Sequence, residues 1–125
     1  MRTRAIDDPG AILVVDDSSS IRQMIKVFLE AAGYAVILAA DGEMGLSYFK
    51  EKQREIALLL TDVAMPQMNG LDLADRVLEI DRDLPVIFMS GTAADVDRGY
   101  GCVAKPFQGS ELIAIIGTAL QRPTA

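Results

Sequence analysis

Five short apolar runs recur along this chain, and four of them end on a residue able to do polar chemistry. AILVV runs into Asp16 and Asp17, IALLLT into Asp62, VIFM into Ser90 and CVA into Lys105. None shows the apolar–polar alternation of a strand with one wet face, so each reads as a strand buried on both sides. The stretches between them carry apolar residues at helical spacing. This is a (βα)5 pattern, in which right-handed crossovers place helices on both faces of a parallel sheet and make a three-layer α/β sandwich. Ligand sites in such sheets lie beyond the carboxyl ends of the strands. Asp16, Asp17, Asp62, Ser90 and Lys105 all fall there.

The local signals set the boundaries. Ala11 to Val15 is the first strand. Ser18 or Ser19 caps a helix to about Ala32, with Ile21, Ile25, Phe28, Leu29 and Ala32 on one face and Gly33 as its stop. Tyr34 to Ala39 is the second strand, broken by Asp41-Gly42 before a helix to about Gln53. Ile56 to Thr61 follows, then a loop bracketed by Pro66 and Gly70, and a helix from Leu71 to Ile80. Leu84 to Met89 and Gly101 to Ala104 are the last strands. A helix from about Ser110 to Leu120 turns Leu112, Ile113 and Ile116 inward. Only residues 91–104 separate Ser90 from Lys105, and they must also hold the fifth strand. At most two helical turns fit there, over Ala94 to Arg98, and Gly91, Gly99 and Gly101 weaken even those. The fourth helix is therefore expected to be short or absent.

At 125 residues the chain suits one domain. Residues 1–10 read as an N-terminal tether, 11–121 as the domain and 122–125 as a C-terminal tail. The first residues lack the apolar core of a signal peptide, and no apolar run is long enough to insert in a membrane. A net charge of -6 argues against direct nucleic-acid binding through a basic face. With one cysteine, Cys102, no intrachain disulfide forms, which points to a reducing, cytoplasmic setting. The absence of histidine removes the commonest general base and zinc ligand.

Three carboxylates in one small volume repel and raise one another's pKa. A hard cation with oxygen ligands relieves that, and Mg2+ fits best, being content with a few carboxylates, waters and phosphate oxygens. Asp62 stands alone before the tight loop VAMPQMNG and is the best-placed nucleophile. Lys105 can neutralise a phosphoryl oxygen, and the Ser90 hydroxyl can donate to another. These are the electrostatic needs of phosphoryl transfer.

ILVVDDS, LLLTDVAMPQMNGLDL, VIFMSG and KPF together resemble the response-regulator receiver domain of two-component signalling, over about Ala11 to Leu120. TDVAMPQMNG and FMSG look like receivers attached to hybrid histidine kinases. The resemblance implies a flavodoxin-like fold with sheet order 2-1-3-4-5. It implies that Asp62 takes a phosphoryl group from a phosphohistidine on a histidine kinase or phosphotransfer protein. Asp17 then ligates Mg2+ (or Mn2+) directly, Asp16 does so directly or through water, and Asp62 and the Ala64 carbonyl complete the protein ligands. Ser90 and Lys105 contact the phosphoryl oxygens, and Lys105-Pro106 is cis. The domain signals or relays by protein contact, with phosphorylation-linked self-association, and is a phosphoacceptor rather than an enzyme. The donor is expected near the first helix, where Met24, Gln23 and Lys26 are candidate contacts and Arg22 lies beside the acidic pocket. Arg22 and Lys26 as mere solubilising charges are the other reading.

Three departures stand out. Cys102 occupies the place of the family's usual switch aromatic, with Tyr100 as a nearby substitute. The curtailed fourth helix puts the usual output surface in doubt and suggests a relay or sink. Ala64 and Thr92 are small where the family controls access of water, which predicts slow self-dephosphorylation. An interaction module indifferent to phosphate is the alternative function. A small-phosphoester hydrolase is disfavoured because Ala64 cannot act as acid or base and no segment can form a cap. A flavin carrier is disfavoured by the acidic first loop.

Overall fold

The computed structural model describes residues 10–91 and 101–120. Strands β1 (Ala11–Val15), β2 (Ala35–Ala39), β3 (Ile56–Asp62), β4 (Val86–Ser90) and β5 (Gly101–Ala104) form one parallel sheet in the order β2-β1-β3-β4-β5. Helices α1 (Ser19–Ala31), α2 (Gly42–Glu51), α3 (Gly70–Ile80) and α4 (Gly109–Leu120) cover its two faces.

The unalternating runs are explained by where they lie. Every residue of β1, β3 and β4 is buried, and successive side chains feed opposite cores. Leu13, Val15, Leu59 and Phe88 pack with Phe49 of α2 and Leu73 and Val77 of α3. Ile12, Val14, Leu58, Leu60 and Met89 pack with Ile25 and Leu29 of α1 and Leu112 and Ile116 of α4. Edge strand β2 is less covered.

The chain leaves β1 for β2 on one side and returns as β3 on the other. The order therefore reverses between β1 and β3, whose carboxyl ends carry Asp16 and Asp62. Helix caps keep the connections short. The Ser18 hydroxyl accepts from the Ile21 N–H at 3.3 Å, Asp41 from Met44 at 2.8 Å and Asn69 from Asp72 at 2.9 Å. Gly33, at φ 96°, turns the chain out of α1.

Element boundaries lie within two residues of the sequence reading, and two departures have a clear physical cause. β4 begins at Val86 rather than Leu84, because Pro85 has no N–H to give a ladder. The Pro85 carbonyl still accepts from Leu59 N–H at 3.0 Å, and Leu84 is buried beside the strand. Ala32 does not share the buried face of α1: it is exposed in the helix's C-cap. The expected helical stub at Ala94 to Arg98, Thr92, Tyr100, most of the tether and the tail lie outside the described residues. No helix among the described residues is long and apolar enough to cross a membrane.

Candidate functional site

β1 delivers two adjacent acids with opposite fates. Asp16 is wholly buried, whereas Asp17 is exposed at the start of the turn. The Asp16 N–H donates to the Ala39 carbonyl at 3.2 Å, holding the strand end against β2. Its Oδ1 accepts from the Ser18 N–H at 2.8 Å. Its Oδ2 accepts from Lys105 Nζ at 3.1 Å. Asp17 makes no hydrogen bond or ion pair among the described residues.

β3 delivers Asp62, buried between the two neighbouring strands. The Thr61 hydroxyl donates to the Asp62 carbonyl at 2.9 Å. Beyond it, the Val63 N–H donates to Met89 at 3.0 Å and the Gly70 N–H to Val63 at 2.9 Å, folding the loop back on the strand end. Gln67 takes φ 69° in that loop. Gly70 has no alternative: a Cβ there would collide with the Asp62 carbonyl oxygen. Ala64 is exposed on the same loop.

β5 delivers Lys105. Its N–H donates to the Ser90 carbonyl at 2.7 Å, so the last bond of the β4–β5 ladder sets the root of the side chain. Its ammonium lies 3.1 Å from Asp16 and 3.2 Å from Asp62 Oδ1. Ser90 is buried at the end of β4, and Lys105-Pro106 is cis. The five residues singled out in the sequence therefore gather at one edge of the sheet.

One oxygen each of Asp16, Asp17 and Asp62 lies within 4.8 Å of the others. All three are hard oxygen donors and one is unengaged, which suits a cation such as Mg2+ rather than a soft metal. Burial pushes the Asp62 carboxyl above its ordinary value. Lys105 opposes the shift, while Asp16 and Asp17 add to it. Burial alone lowers the Lys105 ammonium, but its hydrogen bond and attraction to Asp16, and then Asp62, outweigh that and hold it above its ordinary value.

The sequence places Arg22 at the surface beside the acidic pocket; in the structure it is half-buried there, and its Nη1 donates to the Asp16 carbonyl at 2.8 Å. The available signal was its place in the first turn of a helix, whose side chains lean back toward the preceding strand end. Lys26, by contrast, pairs with Glu30 at 3.3 Å on the outer face of α1. Met24 is half-buried and Gln23 exposed. Cys102 is half-buried opposite Phe88 and packs against the core under α2 and α3.

A family model described as the response regulator receiver domain matches residues 12–117. The response regulator receiver protein CpdR of Brucella abortus is 36% identical over 109 residues, covering 82% of this chain and 89% of that protein. The crystal structure of the receiver domain from the hybrid histidine kinase CckA superposes with TM-score 0.81 at 34% identity, covering 90% of this chain and all of that one. That of the response regulator TrrA from Thermotoga maritima, in complex with Mg(2+)-BeF, gives TM-score 0.81 at 27% identity over 88% of this chain and 98% of the other. The chain spans about half the length of several curated transcriptional regulators it matches, 51% of one from Bacillus subtilis and 45% of one from Guillardia theta. With the matched model spanning most of its length, the chain belongs to the response-regulator receiver family of two-component signalling.

Proposed function

We propose that this domain accepts a phosphoryl group on Asp62 from a phosphohistidine donor and passes the signal, or the group itself, through protein contact. The observation that carries this is the Lys105 ammonium 3.2 Å from Asp62 Oδ1, in a pocket where Asp16 and Asp17 also converge. A free Asp62 oxygen attacks phosphorus, the phosphorus–nitrogen bond breaks, and the imidazole leaves with the electron pair and takes up a proton. Lys105 and the Ser90 hydroxyl balance charge on the transferred oxygens. Asp16, Asp17, Asp62 and the Ala64 carbonyl would hold Mg2+, or Mn2+ in its place, which supplies charge neutralisation when bound. Because burial already disfavours the ionised Asp62, its negative charge is ready to be shared with an electrophile.

The outer face of α1, with Met24, Gln23 and Lys26, is the proposed docking side for a histidine kinase or phosphotransfer protein. A helix of the donor would bury a modest apolar patch there within a polar rim. Phosphorylation-linked self-association is the further interaction proposed.

The deciding experiment is intact mass after incubation with a small acyl phosphate and with a phosphohistidine donor, with Mg2+ or chelator, on wild type and Asp62→Asn. A gain of about 80 Da (one phosphoryl group) that needs Mg2+ and Asp62 supports the reading. No gain from either donor would leave a phosphate-independent interaction module on the same fold.

A further inference from the structure

Every polar atom of Asp16 is engaged. Its N–H and both carboxylate oxygens are held by Ala39, Ser18 and Lys105. The remaining atom, its backbone carbonyl, accepts from Arg22 Nη1 at 2.8 Å. That carbonyl belongs to the peptide unit whose nitrogen is the nitrogen of Asp17. The unit is planar, so the direction of its C=O sets the rotation of the whole plane and the point from which Asp17 projects. Asp17 has no bond of its own among the described residues to hold its carboxylate in place. Its orientation therefore depends on the peptide before it.

Arg22 is built into the turn for this contact. It is half-buried in the first turn of α1, and its N–H donates to the Ser18 carbonyl at 3.0 Å. From there the side chain runs back to the end of β1, as helical side chains do. The turn is thus tied twice to one residue, by Ser18 to the Asp16 carboxylate and by Arg22 to the Asp16 carbonyl.

We propose that Arg22 is a positioning residue for the cation: by holding the Asp16–Asp17 peptide it keeps the Asp17 carboxylate beside those of Asp16 and Asp62. The proposal rests on the reading that these three carboxylates hold Mg2+. It also takes Arg22 out of the surface that α1 offers to a phosphodonor. A guanidinium suits the task because it donates from a rigid plane.

The test compares wild type with Arg22→Met, Arg22→Gln, Arg22→Lys and Asp17→Asn. Mg2+ affinity is measured by calorimetry, and Tm is measured in chelator and in saturating Mg2+. Methionine cannot donate, and glutamine is too short to reach. Both should weaken Mg2+ binding about tenfold and shrink the rise in Tm that Mg2+ produces, as loss of a residue that orients a metal ligand does. Lysine, which keeps a donor, should restore part of the affinity. Affinity within about twofold of wild type in whichever of the methionine and glutamine variants folds overturns the proposal, since a purely structural role lowers Tm equally with and without Mg2+. Absence of Mg2+ binding in the wild type instead overturns the cation reading itself, and the positioning role with it.

Discussion

Asp62 Oδ1 stands 3.2 Å from Lys105 Nζ across the open edge of the sheet, on an ammonium that also bonds the fully buried Asp16. One cation thus serves two carboxylates that reach the site from strands on either side of the order reversal. The arrangement leaves Asp17 as the carboxylate with no partner among the described residues.

Lys105→Met should destabilise the domain in chelator by about 2–3 kcal/mol, because Asp16 is left buried without its cation while the partial exposure of Lys105 softens the loss. The folded-state pKa of Lys105 lies above its ordinary 10.5. Its contribution is therefore fully present below that value and fades only as pH rises through the folded pKa. Urea denaturation should show a constant gap to wild type across neutral pH, and intact mass should show phosphoryl gain slowed at least tenfold, roughly the weight of one lost electrostatic contact in a transition state.

Asp62→Asn should stabilise the metal-free domain at neutral pH. The carboxyl is raised above its ordinary 3.8, chiefly by burial. A raised acid favours the folded state below its unfolded pKa and loses that advantage as pH rises through the folded pKa. In chelator, the Tm of the variant should therefore exceed that of wild type by a margin that opens as pH rises from about 4 and then levels off. Saturating Mg2+ should narrow the margin by stabilising only the protein with the intact carboxylate.

Two glycines should respond with opposite signs. Gly70→Ala drives a methyl into the Asp62 carbonyl oxygen, so the loop must move. A loss of about 2–3 kcal/mol in denaturant is expected, with slower phosphorylation because the push falls on the peptide of the proposed acceptor, Asp62. Gly117→Ala, inside α4 with nothing within 4 Å of the new methyl, should gain about 0.5–1 kcal/mol.

Ala64→Asn should speed loss of the phosphoryl group. Ala64 is exposed two residues past Asp62 and offers no group to orient water. A carboxamide there should shorten the phosphorylated lifetime roughly tenfold, a modest effect beside full acid–base catalysis. The decay of the phosphorylated mass after donor removal checks this, and a lengthened lifetime would mean that the small side chain itself admits water.

Much of the fold is legible because burial on both faces leaves its mark on composition. AILVV and IALLL have no polar position to alternate with, which suits strands in a sheet sandwiched by helices. Deviations arose where backbone chemistry overrode the apolar pattern: Pro85 delays β4 without exposing Leu84, and Ala32 falls in a cap beyond the packed face. Cys102 joins the core under α2 and α3, a role that its place near the site did not suggest.

The amino-acid sequence by itself determined the parallel α/β sandwich and the gathering of Asp16, Asp17, Asp62, Ser90 and Lys105, because each is tied to the carboxyl end of an apolar run. What it could not distinguish was the state of each group once gathered. Adjacent acids look alike in sequence, yet only the strand register and the turn after β1 bury Asp16 beneath Lys105 and leave Asp17 open. An arginine on a helix likewise reads as surface charge until the carbonyl it can reach is brought within 2.8 Å. Tertiary structure decides such matters because burial and hydrogen-bond partnership depend on atoms distant along the chain, whereas periodicity reports only on neighbours.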